Sequence, residues 1–209
     1  MNVVLYGATG NAGSRILKEL LARGHQVRAV VRNPAKLAPA KGLSVAPGDL
    51  DNAGGIAGSV KGADAVVSAY APPVTAVEEL VSVTGRLIEV VHQSGVPRLL
   101  TVGGAASLEV EPGVRLLDTD SFPEAWKPIA RAHAEALRKL KASDINWTCL
   151  SPAAFLEPGE RTGKFRLGHE QLLANGKGES RISMEDYAIA LVDEIETPKH
   201  ARQRFTVGY

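Results

Sequence analysis

Gly7, Gly10 and Gly13 stand with two residues between each pair in the string GATGNAG, directly after the apolar run NVVLY. Glycine at this spacing lets a chain turn sharply and brings bare backbone up to a phosphate with no side chain in the way. A helix opening behind the loop points its amides and the positive end of its dipole at that charge. Thr9, Asn11 and Ala12 complete the loop, and Thr9 and Asn11 add side-chain hydrogen bonds. A glycine triplet alone is a weak signal. Between a strand and a helix it predicts that a dinucleotide pyrophosphate rests here.

The end of the second strand decides which dinucleotide. An acid there would accept bonds from the free ribose hydroxyls of NAD. The chain reads VVRNP instead. Arg32 stands where a 2′-phosphate would sit and Asn33 can assist, so NADP(H) is expected in preference to NAD(H). In GDLD, Asp49 and Leu50 close the third strand. Asp49 reads equally well as a neighbour of the adenine and as the N-cap of the next helix. Ala69 and Tyr70 follow the fourth strand, at the carboxyl edge where ligands of such sheets lie.

These residues need a scaffold, and the hydrophobic pattern supplies one. Strands are predicted at 2–6, 26–31, 43–46, 64–69 and 97–102, with helical spacing over 15–23, 34–37, 53–60 and 77–93. Strict alternation with continuous apolar strands means an α/β fold: a doubly wound parallel sheet of Rossmann type with helices on both faces. The second half is less regular. Residues 103–126 read as a long loop, 127–142 as a helix, 146–150 as a strand and 159–181 as turns with a hairpin. A helix over 184–196 and a last strand over 203–207 end the chain. One domain spanning 1–209 is expected, with about 103–126 and 151–182 forming a small substrate lobe.

Composition narrows the function classes. The 209 residues carry a formal net charge of +1, 44% hydrophobic residues and 22% charged ones. A near-neutral chain with no long basic run disfavours nucleic acid or an acidic membrane as partner. Cys149 is the sole cysteine and sits in the apolar run WTCL, which reads as a buried thiol. The five histidines show no metal-ligand spacing. The chain enters a strand at once, without a basic segment followed by a long apolar stretch, and no run of about 18 apolar residues occurs. A soluble cytoplasmic protein, monomer or homodimer, acting on a small molecule is expected.

The strings GATGNAGSRI, VRNPAKL, GDLDN, VVSA and SDINWTCLSP resemble the atypical short-chain dehydrogenase/reductases of the NmrA-like group. VGGAASLEVEPGVRLLDT, LSPAAFLEPGERTGKFRLG and SRISMEDYAIALVDEIE are similar, more narrowly, to the bacterial NADH–flavin reductase subgroup. The resemblance covers nearly the whole chain. It implies a Rossmann fold, a nicotinamide cofactor, and a flavin (FMN or FAD) or quinone-like electron acceptor. It also implies that Pro152, Ala153 and Ala154 run along the nicotinamide.

The wider superfamily transfers a proton through a tyrosine, with a lysine four residues on and a hydroxyl after the fifth strand. In KPIARAHAEALRKL those places fall to Ile129 and His133, and Val102 is followed by Gly103, Gly104 and Ala105. Tyrosine-based proton transfer is therefore absent. Hydride transfer between stacked rings needs only positioning at about 3–3.5 Å and exclusion of water. Gly103, Gly104, Ala105 and Ala106 are expected to leave a flat slot for a large ring, lined by Phe155 and Tyr70. His133 falls on the inward stripe of its helix. It would hold the nicotinamide ribose or donate a proton, or be a satisfied core histidine. A non-catalytic NADP-binding redox sensor of NmrA type and an epimerase-like enzyme using His133 are the alternative functions.

Overall fold

The computed structural model describes residues 1–51 and 53–209. In chain order its strands are β1 (Asn2–Tyr6), β2 (Gln26–Val31), β3 (Leu43–Pro47), β4 (Ala65–Ser68), β5 (Leu99–Val102), β6 (Glu109–Glu111), β7 (Val114–Arg115), β8 (Trp147–Pro152), β9 (Phe155–Glu157), β10 (Arg166–Gly168), β11 (Arg181–Ser183) and β12 (Gln203–Gly208). The helices are α1 (Asn11–Ala22), α2 (Ala53–Val60), α3 (Glu79–Ser94), α4 (Lys127–Ala142) and α5 (Met184–Glu196).

The main sheet runs β3-β2-β1-β4-β5-β8-β12-β10. All its pairings are parallel except that of β10 with β12. The order reverses between β1 and β4, which opens a crevice at their carboxyl ends. This is the Rossmann-type α/β fold, with a hydrophobic layer on each face. Leu5 and Val67 pack against Ile16 and Leu20 of α1 and against Leu191 and Ile195 of α5. Val4 and Val66 on the other face meet Ile56, Leu87 and Leu140 of α2, α3 and α4. Burying each such aliphatic side chain stabilises by about 1.5–3 kcal/mol.

Three expectations for the second half are corrected. Residues 103–126 are not an irregular loop. They form the antiparallel pair β6–β7 and two single turns of 3-10 helix, anchored by buried Leu108 and Leu117. Residues 159–181 do not form a hairpin on themselves. β10 extends the main sheet against β12, and β11 pairs in parallel with β9. Ser151 and Pro152 belong to strand β8, not to the connection behind it. β5 ends opposite Leu150, so Pro152 is paired on one side only, with Val207 of β12. A proline without an N–H is tolerated where one side of a strand is unpaired.

Candidate functional site

The glycine loop sits at the point where the strand order reverses. Gly7 has φ +76°, a left-handed conformation, and a Cβ there would lie 2.3 Å from the Ala69 carbonyl oxygen at the end of β4. A Cβ on Gly13 would lie 2.0 Å from the Gly7 carbonyl. These two glycines let the ends of β1, β4 and α1 close on one another. Gly10 differs: its only near neighbour is the Gly7 carbonyl at 3.3 Å, and the residue is exposed. Its missing side chain keeps the approach to α1 bare. Gly10 is the N-cap of α1 and supplies no side-chain hydrogen bond to the first turn. The first amides of a helix have no intrahelical partner, so those after Gly10 suit an anion. Thr9 and Asn11 are exposed beside them, and Ala12 is half-buried.

A groove of about 280 Å³ runs from this loop across the ends of β1, β2 and β4. It brings together nine predicted residues: Gly7, Thr9, Gly10, Arg32, Asn33, Asp49, Leu50, Ala69 and Tyr70. Asn33 Oδ1 accepts the Ala35 amide at 3.1 Å and so caps the turn Pro34–Lys36. That turn carries Lys36 into the same groove, a residue the sequence reading passed over. Its signal was a second cation four residues after Arg32. Both side chains are exposed, and among the described residues neither cationic head makes a hydrogen bond or ion pair. Asp49 is not the N-cap of α2, which begins at Ala53; its Oδ1 accepts the Asp51 amide at 3.2 Å and closes a turn ahead of that helix, and the residue lines the groove. Leu50 is buried beneath, and its carbonyl accepts Arg86 Nε at 2.7 Å. Tyr70 donates its hydroxyl to Glu79 Oε2 at 2.7 Å. Burial, then the Glu79 carboxylate, push the phenol pKa up, so it stays protonated.

The opposite end is more closed than the sequence suggested. A Cβ on Gly103 would fall 2.7 Å from Cys149 Sγ, and one on Gly104 2.9 Å from Cβ and Cγ of His133. These glycines do not leave a flat slot. They let the end of β5 pack under α4, so the open surface there must come from other atoms. Ser151, Pro152 and Ala153 are buried, and the Ala154 amide already donates to Ser180 Oγ at 3.0 Å. Ala105 and Ala154 are half-buried, and Phe155 is 53% exposed. Val102, Gly103, Tyr70 and His133 border a second, much smaller cavity under α4. His133 faces inward, as its place on the helix stripe predicts, but makes no hydrogen bond among the described residues. Burial drives its pKa down to about 4, so the ring is neutral at physiological pH.

The residues joining β9 to β10 are stitched to the α1–α5 face, which the sequence did not show. Arg161 makes a two-point ion pair with Glu19 of α1 at 2.8 and 2.9 Å. Glu185 of α5 accepts the Gly159 amide at 2.8 Å and pairs with Arg15 at 3.1 Å. A larger depression, about 950 Å³, lies elsewhere, between the outer face of α4 and residues 107–124. Its charges are mostly matched already, as in Arg115–Asp118, Lys127–Glu124, Arg138–Glu135 and Arg204–Glu170. Among the described residues no cluster could hold a metal ion, and no helix is long and apolar enough to cross a membrane.

Comparison with known proteins agrees with this geometry. A family model described as NAD(P)H-binding matches residues 7–198. The chain is 44% identical to the uncharacterized protein YwnB of Bacillus subtilis, over 99% of this chain and 98% of that one. A solved structure from Bacteroides thetaiotaomicron, described as a "putative epimerase", is 43% identical with TM-score 0.94, covering 100% of this chain and 96% of the other. One from Streptococcus pneumoniae, described as a "putative NADH-flavin reductase", is 35% identical with TM-score 0.91 over 100% and 99% of the two chains. With its glycine loop at the sheet's switch point and a family match over most of its length, the chain belongs to the NAD(P)H-binding family.

Proposed function

We propose that the protein is an NADPH-dependent reductase whose acceptor is a planar ring system, a flavin or quinone-like compound. The observation that carries this reading is the single groove holding bare Gly10 at one end and, at the other, two cations unpaired among the described residues, Arg32 and Lys36. The first takes a pyrophosphate and the second a 2′-phosphate. Bound NADPH supplies a hydride; the chain supplies binding, orientation and exclusion of water. Tyr70, held by Glu79, forms the wall between the groove and the second cavity. Ala105, Ala154 and exposed Phe155 offer the surface for the acceptor.

No tyrosine–lysine pair stands on α4, where Ile129 and His133 occupy the corresponding places. A reaction that needs only hydride transfer matches that composition better than carbonyl reduction. An epimerase, as the Bacteroides neighbour is described, inverts a centre by taking a proton from carbon or by oxidising an alcohol and reducing it again, and both routes need a base. A ring with pKa near 4 is a weak base at neutral pH, which counts against His133 in that role. Steady-state NADPH oxidation with and without free FMN, and with a quinone, tests the reading. Acceptor-dependent, saturable oxidation is expected. Tight NADPH binding with no acceptor reduced would favour the redox-sensor alternative.

A further inference from the structure

A parallel sheet covered on both faces normally buries near-continuous hydrophobic side chains. One transverse row of this sheet departs from that. Register sets Ser68 of β4 beside Thr101 of β5, and Thr101 beside Cys149 of β8. Neighbouring strands lie about 4.8 Å apart, so the three side chains adjoin. Leu99 packs in the core beneath α3 and α4, and Leu100 in the core beneath α1 and α5. Alternation along β5 therefore turns Thr101 toward α4. Ser68, Thr101 and Cys149 are all buried.

Among the described residues Thr101 Oγ1 is sealed from solvent and has no oxygen or nitrogen partner, only the weakly bonding Cys149 thiol beside it. Buried hydroxyls are rarely left so, because the group forfeits its bonds to water. The imidazole of His133, descending from α4, is also without a hydrogen bond among the described residues. A cavity of about 20 Å³ borders both, and Ser68 and Cys149 too. The other hydroxyls at its wall are engaged, Tyr70 with Glu79 and Thr84 with the Leu80 carbonyl at 2.8 Å. One water needs roughly 10–15 Å³ of such volume and two to four polar partners, whereas cavities that stay empty are apolar. The space is too small for an organic ligand and has the polarity that a single water requires.

We infer that this cavity holds one water bridging Thr101 Oγ1 to a ring nitrogen of His133, which makes Thr101 a positioning residue for the imidazole. Ser68 Oγ or Cys149 Sγ completes the water's bonding. A neutral imidazole has one donor and one acceptor nitrogen, so tying one of them fixes the tautomer and what the other presents. The water site itself stands on the fold alone.

Thr101→Val keeps the side-chain shape and removes the hydroxyl, and Thr101→Ser restores a hydroxyl. The measurements are a high-resolution structure of each protein and long-range nitrogen–proton NMR of the His133 ring, both without NADPH. Wild type and Thr101→Ser are expected to show one ordered water and a single neutral tautomer. Thr101→Val is expected to lose the water, with the ring nitrogens shifting toward the mixed-tautomer average. A dry cavity in the wild type, or His133 signals identical in wild type and Thr101→Val, overturns the inference. The structural and NMR readouts need no turnover, so this inference and the reductase reading fail separately.

Discussion

A methyl group on Gly104 would stand 2.9 Å from both Cβ and Cγ of His133. Real Cβ atoms do not approach that closely, so the end of β5 and helix α4 are locked together through a missing side chain. Gly104→Ala should therefore displace the His133 ring and destabilise the fold by about 1–3 kcal/mol, as overpacking does. Urea unfolding measures the loss. A stable Gly104→Ala variant with wild-type turnover would show that this contact yields freely.

Arg32 and Lys36 share one groove, each without a partner among the described residues, and both are exposed where a 2′-phosphate would lie. Arg32→Ala should weaken NADPH binding by about 1.5–3 kcal/mol, the scale of a charge-assisted hydrogen bond, and leave NADH nearly unchanged. Lys36→Ala should shift selectivity the same way. Fluorescence titration with both cofactors checks this. Equal losses for NADPH and NADH would remove both residues from phosphate recognition.

Local pattern carried the first half of the chain, because each of its strands is a short apolar run bounded by turn residues. The glycine loop was legible for the same reason: strand, turn and helix are contiguous. The misread parts depend on long-range pairing. β10 is only Arg166–Gly168, with no usable periodicity, and is defined by its antiparallel match to β12. The β6–β7 pair was readable in EVEPGVR, where Pro112-Gly113 is a turn signal between alternating residues. The closeness of Gly104 to His133, and the row Ser68–Thr101–Cys149, follow from sheet register and helix docking. No spacing in the sequence encodes either.

Burial holds the His133 pKa at about 4, against the ordinary 6.5. Between those values the unfolded chain takes up a proton that the folded chain refuses. The neutral ring's contribution is whole above pH 6.5 and is lost as pH falls toward 4. The urea midpoint of the wild type should therefore decline more steeply across that window than that of His133→Gln. The carboxylates held low by ion pairs, such as Glu19 by Arg161, act alike in both proteins and only at lower pH. The turnover profile should lack a step near 6.5. Parallel stability curves for the two proteins would contradict a ring held neutral by the fold.

Glu194 and Arg98 pair at 3.0 Å, both buried at the amino end of the sheet. Glu194 also accepts the His200 amide at 2.9 Å and the His200 ring at 2.8 Å. Removing one partner of a buried pair strands the other charge. Glu194→Ala should cost about 3–5 kcal/mol, read by chemical unfolding. NADPH affinity should hold below the melting range, since this network lies at the end of the sheet away from the glycine loop. A loss under about 1 kcal/mol would place the pair among the weak surface bridges instead.

Gly10 tests the central claim most directly, because a Cβ there meets the Gly7 carbonyl at 3.3 Å, a tight contact, whereas one on Gly7 or Gly13 would collide with backbone at 2.3 or 2.0 Å. Gly10→Val should fold with a modest loss of stability, since the Gly7 carbonyl must give by a few tenths of an ångström and valine is a poor N-cap, and it should put a branched side chain in the path of the pyrophosphate. Calorimetric titration of NADPH into wild type and variant is the measurement. The account predicts saturable binding to the wild type, tighter for NADPH than for NADH, and at least a hundredfold weaker binding to a folded Gly10→Val, roughly 2.7 kcal/mol. Wild-type affinity in Gly10→Val would mean that the cofactor does not lie on this loop.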